Sequence, residues 1–268
     1  MKLSVCICTV FREVDFVERI AKVKEAGLPA FEFWGWSGAD LDGVLKAKNE
    51  SGLALAAICV DSSDAAVKQG LGKGSLVNPE ARPAFVAAAR ETIGVAKRLG
   101  CSTIISTVGN DQPGLSPWQM HDSIVNGMKA VAPDAEKAGV TFVIEPLNTL
   151  VNHKGYYLWS SREGFDICRA VDSPAVKLLF DIYHQQITEG NLINNIRRYF
   201  DLIAHFHIGD APGRKEPGTG EINYRNVLKA IHDTGYTGIL AMEHGLSAGD
   251  TEAGVLKCFE EYRRADAW

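Results

Sequence analysis

Several things are missing from this chain, and each absence excludes a class. No stretch approaches the roughly 20 consecutive apolar residues that a membrane-crossing helix needs, although 46% of the residues are hydrophobic. The opening Met1-Lys2-Leu3-Ser4 is not followed by the long apolar segment of a secretory leader. Positive charge is not in excess: the formal net charge is −5, so no broad basic surface is offered to nucleic acid, and a small neutral or anionic ligand is left as the partner. The six cysteines (Cys6, Cys8, Cys59, Cys101, Cys168 and Cys258) lack the spacing of a disulfide framework or a zinc finger, and most lie inside apolar runs. They read as buried, reduced thiols, and the expectation is a cytoplasmic protein. Linkers and low-complexity breaks are absent as well, which points to one domain over residues 1–268.

What is present is an alternation of short apolar runs with helical patterns. Strands are expected at Leu3–Val10, Ala30–Trp34, Ala54–Val60, Ser102–Thr107, Thr141–Glu145, Val176–Asp181, Ile203–Ile208 and Gly238–Glu243. Helices are expected at Phe16–Ala26, from Asp40 to about Ser51, Arg82–Leu99, Trp118–Ala138, Arg162–Val171, Asn191–Phe200, Tyr224–Thr234 and Thr251–Ala265. Gly27 and Gly52 stand where helices should stop. Long loops are expected at Asp61–Pro79, read as a lid or site loop, and at Asn148–Trp159 and Gly209–Asn223. Eight strand-then-helix units of about thirty residues match a (β/α)8 barrel in count and length. The alternative, an open doubly wound sheet, binds at one switch point between two strands, and the residues below call for convergence from four.

Val143-Ile144-Glu145-Pro146 sets the pattern. Proline lacks an N–H and disfavours helix at the preceding residue, so Glu145 falls where a strand gives way to a loop. Three later apolar runs end the same way, in Asp181, His207 and Glu243. In a barrel all strand C-termini face one mouth, which brings these four together. Three carboxylates held close require a cation. Three oxygens and one imidazole, with no thiolate, suit Mn2+, Mg2+ or Co2+. A lone strand-end carboxylate usually caps a helix or faces water; four in register form a metal site.

The segments Ile144-Glu145-Pro146-Leu147-Asn148, Phe180-Asp181-Ile182-Tyr183-His184, His205-Phe206-His207-Ile208-Gly209-Asp210 and Pro217-Gly218-Thr219-Gly220-Glu221-Ile222-Asn223-Tyr224 resemble the hydroxypyruvate isomerases. More broadly they resemble the xylose-isomerase-like barrels that include the ketose 3-epimerases. The resemblance implies that Glu145, Asp181, His207 and Glu243 bind one divalent metal, that both glutamates also move protons, and that His184 and Arg214 contact substrate. The chemistry agrees: isomerising an α-hydroxycarbonyl removes a carbon-bound proton, holds an enediolate and returns a proton next door, for which a Lewis acid and paired acid–base groups are suited. Arg214 could clamp a carboxylate bidentately. Trp34 and Trp36 could wall the mouth, with Trp36 as a substrate contact, although aromatics after a strand are more often core or interface; Lys73 could reach an anionic substrate, although a solvated lysine is the commoner case.

The expected reaction is therefore the interconversion of hydroxypyruvate and tartronate semialdehyde, with ketose 3-epimerisation as the alternative. In the epimerases a further glutamate lies just past the strand-five glutamate; here Leu150-Val151-Asn152 stands there, which favours the isomerase. Metal-dependent endonucleases of the apurinic-site type share the barrel but need many histidines and a basic groove. A non-catalytic sugar-binding barrel would have no use for two proton-transfer carboxylates. Barrel helices bearing exposed aromatics are compatible with a homo-oligomer.

Overall fold

A computed structural model describes residues 1–249 and, beyond them, Gly254 and Glu260. The strands are β1 (Lys2–Cys6), β2 (Ala30–Glu32), β3 in two pieces (Ala54–Leu55 and Ile58–Cys59), β4 (Thr103–Ser106), β5 (Thr141–Ile144), β6 (Val176–Asp181), β7 (Ile203–Ile208) and β8 (Ile239–Met242). All pairings between them are parallel. The first piece of β3 pairs with β2 and the second with β4, so the sheet begins and ends on one stretch of chain and curls into a barrel. Backbone bonds carry the closure across the break: Ala56 N–H to Phe31 O at 2.7 Å, Phe33 N–H to Ala57 O at 3.3 Å and Val60 N–H to Ile105 O at 2.9 Å. The expected (β/α)8 barrel is what forms.

Helices α1 (Glu18–Glu25), α2 (Leu41–Ser51), α3 (Ala65–Leu71), α4 (Arg82–Leu99), α5 (Pro117–Ala138), α6 (Ser161–Val171), α7 (Ile182–Thr188), α8 (Leu192–Tyr199) and α9 (Tyr224–Asp233) alternate with the strands. Gly52 ends α2 at φ 71°, a left-handed cap that suits a residue without Cβ. Because helices cover the outside of a parallel sheet, both strand faces are buried. Inside the barrel, Ala57, Ile105, Val143 and Leu179 form a small apolar layer from four consecutive strands. Residues two further along a strand share that inward face, so Val143 is followed by Glu145 and Leu179 by Asp181.

Some expectations shift. β1 stops at Cys6 rather than Val10, because the chain turns: Thr9 N–H bonds Cys6 O at 3.0 Å and Phe11 takes a positive φ of 54°. The 61–79 loop is a docked segment, not an open lid: it holds α3, and Leu76 and Val77 are buried, with Val77 N–H on Val108 O. α7 was not expected, and starts directly at the end of β6. The expected helix 251–265 lies, except for Gly254 and Glu260, outside the described residues. Among the described residues no helix is long and apolar enough to cross a membrane.

Candidate metal centre

Glu145 and Glu243 each sit one residue beyond a strand, their N–H groups completing the ladders to Ser106 O (3.2 Å) and Ile208 O (3.1 Å). Asp181 and His207 lie within the last two residues of β6 and β7 and are paired across the sheet. The strand ends are thus locked by main-chain bonds, and the side chains have little freedom in where they point. They meet. One ligand atom from each of Glu145, Asp181, His207 and Glu243 lies within 4.8 Å of all the others, and all four residues are buried. His207 Nδ1 is 3.1 Å from Glu145 Oε1, 3.2 Å from Glu243 Oε2 and 3.9 Å from Asp181 Oδ2.

These separations fit a cation. Donors about 2.1 Å from one octahedral ion are about 3.0 Å apart when adjacent and about 4.2 Å apart when opposite. The donor set of three carboxylates and one imidazole, without thiolate, is that of a hard to borderline divalent ion. The electrostatics say the same. Burial, reinforced by the charges of Glu243 and Asp181 against the opposing pull of His207, pushes the Glu145 carboxyl up to about 7. Burial works against Glu243 too, but His207 and Arg214 outweigh it and hold that carboxyl well below the usual range. For His207 burial works against the charged ring, and Glu243, Glu32 and Glu145 outweigh it and raise its pKa. The cluster is rich in buried negative charge and short of positive charge, a balance that a divalent ion restores.

α7 explains where His184 goes. Asp181 caps this helix by accepting from His184 N–H at 3.0 Å, so the same aspartate that joins the cluster places His184 in the adjoining turn. The ring is buried. Its Nδ1 takes the Asn148 backbone N–H at 3.1 Å and faces Asn148 Nδ2 at 2.7 Å. Nδ1 is therefore the acceptor, and the neutral ring carries its proton on Nε2. Burial pushes the ring's pKa down to about 4, which keeps it neutral near pH 7. Nε2 has no hydrogen-bond partner and stands 3.7 Å from Asp181 Oδ2, leaving a buried donor at the edge of the cluster.

Arg214 arrives on the loop after β7. Asp210 ties that loop together: its carboxylate accepts from Ala211 N–H (2.9 Å), Gly218 N–H (2.8 Å) and Ile222 N–H (3.1 Å). Gly220 passes so close to Ala211 O that a Cβ would lie 2.1 Å from it. Arg214 itself takes a positive φ of 49°, donates from Nε to Glu243 O at 3.1 Å and from Nη2 to Asp181 Oδ2 at 3.0 Å, and also pairs with the Glu243 carboxylate. Its guanidinium lies 5.1 Å from the Tyr183 ring centroid.

The two tryptophans separate. Trp34 is 42% exposed and donates from Nε1 to Glu243 Oε1 at 2.6 Å, at the mouth. Trp36 is not brought to the carboxylates: it is buried, and its indole N–H goes to Thr92 Oγ1 on α4 at 3.1 Å, among the packing helices. Of the two tryptophans expected to wall the mouth, with Trp36 as the substrate contact, it is Trp34 that lies beside the cluster. Reading the sequence also missed Glu32 and His205, which are buried and 3.0 Å apart beneath the cluster. The signals were available: one charged residue in the apolar Phe31-Glu32-Phe33, and the alternating His205-Phe206-His207, whose histidines share a face.

Residues 20–258 match the family described as Xylose isomerase-like TIM barrel, and the chain belongs to that family. The hydroxypyruvate isomerase of Escherichia coli (strain K12) is 29% identical over 263 residues, spanning 98% of this chain and 100% of its own. The 2-oxo-tetronate isomerase of Cupriavidus necator is 31% identical over 258 residues, 91% of this chain and 92% of its own. Among solved structures, one described as an AP endonuclease, family 2, from Brucella melitensis superposes with a TM-score of 0.86 at 26% identity, covering 95% of this chain and 97% of that one. By its curated kinship the chain is an enzyme of the isomerase kind.

Proposed function

We propose that this enzyme isomerises a short α-hydroxy-keto acid, hydroxypyruvate to tartronate semialdehyde, through an enediolate, with one divalent ion held by Glu145, Asp181, His207 and Glu243. The observation that carries the reading is the convergence of four ligand atoms within 4.8 Å at the C-terminal ends of four consecutive strands. When bound, a divalent ion supplies Lewis acidity at the substrate's carbonyl and hydroxyl oxygens. The rest falls to the chain's own groups. The reaction moves one proton from C3 to C2 and one from O3 to O2. Glu145 and Glu243, on strands three positions apart in the sheet, serve as the pair that removes the carbon-bound proton and returns it to the neighbouring carbon. The Nε2–H of His184, buried and without a partner, is the donor for a substrate oxygen on which charge builds.

Arg214 supports the acid over a neutral ketose. Its guanidinium lies at the cluster and only 24% of its side chain is exposed, so a substrate carboxylate next to the ion meets a fixed, partly desolvated cation. The names of both curated relatives denote 2-oxo acids. A nuclease finds no such support: the net charge is negative, and phosphate backbones are gripped by basic surfaces.

The test is solvent exchange followed by NMR. Chelator-stripped protein restored with Mn2+ and given hydroxypyruvate in D2O should place deuterium at C2 of the product. Exchange at C3 of D-fructose or L-ribulose without any on hydroxypyruvate would move the substrate to the ketoses. No exchange on any of the three would end the enzymatic reading.

A further inference from the structure

A second knot of ionisable groups lies one layer deeper in the barrel than the four-residue cluster. Glu32 on β2 and His205 on β7 are buried, and His207 belongs to both groups. Glu32 reaches across the barrel interior and spends one oxygen on each histidine: Oε2 is 3.0 Å from His205 Nε2, and Oε1 is 3.0 Å from His207 Nε2. The second contact is bent away from hydrogen-bond alignment, yet neither Glu32 Oε1 nor His207 Nε2 has any other polar partner among the described residues. Each is the other's only neighbour of that kind.

His207 has two nitrogens and two neighbours to satisfy. Nδ1 faces Glu145, Asp181 and Glu243; Nε2 faces Glu32. A neutral imidazole carries one proton and one lone pair, so Nδ1 is free to ligate only while the proton stays on Nε2. An ionised carboxylate oxygen accepts and never donates, so Glu32 Oε1 holds the proton there. We propose that Glu32 is the positioning residue of this centre: it fixes the tautomer and ring plane of His207, and His205 in turn fixes Glu32 by occupying its other oxygen. Outer partners of this kind typically set metal affinity by a factor of about 10 to 100.

The geometry also argues that the deeper knot is not itself a cation site. Both Glu32 oxygens are already committed to histidines. A second ion there would require His207 to be deprotonated at both nitrogens.

The inference rests on the metal reading of the upper cluster, and the experiment separates the two. Calorimetric titration of the chelator-stripped full chain with Mn2+ should give one ion per chain, with Glu32→Gln weakened by about 10- to 100-fold while its metal-free unfolding temperature stays within a few degrees of the parent. Ring 15N spectra of the Mg2+-saturated parent should show His207 protonated at Nε2 alone. Should Glu32→Gln fail to fold, that spectrum still exposes the proposal to refutation. Protonation at Nδ1, an affinity in Glu32→Gln within twofold of the parent, or two ions per chain with one lost in Glu32→Gln would each overturn the role of Glu32. No Mn2+ binding by the parent would instead remove the metal reading beneath it.

Discussion

The two halves of the barrel are built on one plan and used differently. Strands β5 to β8 end in Glu145, Asp181, His207 and Glu243, all turned to the mouth. Strands β1, β3 and β4 end in Cys6, Cys59 and Ser106, which offer no carboxylate. β2 does end in an acid, Glu32, but it points into the barrel's depth and supports a residue of the other half. Trp34 crosses the mouth in the same sense, from the first half to Glu243. The comparison teaches a division of labour: one half supplies the clustered ligand atoms, and the other holds them in place and packs beneath them.

That division can be broken experimentally. The largest effect is expected in the second half, where Glu145→Gln or Glu243→Gln should lower turnover by about 10^3-fold or more, in line with the loss of a proton-transfer group. A circular dichroism spectrum like the parent's would show the fold intact, and retained turnover in both variants would refute the assigned roles. Chelation comes next: EDTA should abolish exchange, and Mn2+ at about 100 times its dissociation constant should stabilise the chain by about 2.7 kcal/mol, read as a rise in unfolding temperature. In the first half, Ile105→Ala opens a cavity in the apolar layer under the site and should cost about 2–5 kcal/mol of stability, with the rate of the folded enzyme changed far less than by the glutamate variants. A denaturant titration beside a kinetic assay checks this.

Arg214→Lys should raise KM for hydroxypyruvate by about 10-fold, because an ammonium loses the bidentate fork, with a smaller change in kcat. Equal losses in both would place Arg214 in the chemistry rather than in substrate selection. The smallest effect is expected of Trp34→Phe, which deletes one hydrogen bond to Glu243 and should change kcat by about 10-fold, the lower end for a bond to a charged group.

Much of this was legible in the residues. Glu145 could be placed at a strand end because Pro146 forbids continuation, and the recurrence at Asp181, His207 and Glu243 gave the site once the strands were assumed to close. What could not be read has physical causes. In a parallel sheet buried on both faces apolar residues do not alternate with polar ones, so little marks which face points inward; the lone charge of Glu32 and the spacing of His205 and His207 are local signals that gain meaning only once the barrel's interior is known. The same ambiguity covers Trp36, expected at the mouth, which packs outward against Thr92. α7 is a short helix with only its cap as a signal, and that cap is Asp181, which also belongs to the four-residue cluster.

The loop that carries Arg214 is cinched by one carboxylate, Asp210, gripping main-chain N–H groups at 211, 218 and 222. Such a hasp fastens the loop to the barrel rim from within, so the residues between its anchor points can vary in length and sequence without disturbing the strands that bear the reacting groups. Arg214 reaches back from this loop to Asp181 and Glu243, so an exchange of the loop's other residues that keeps Arg214 should vary the rim while the four clustered side chains stay where they are.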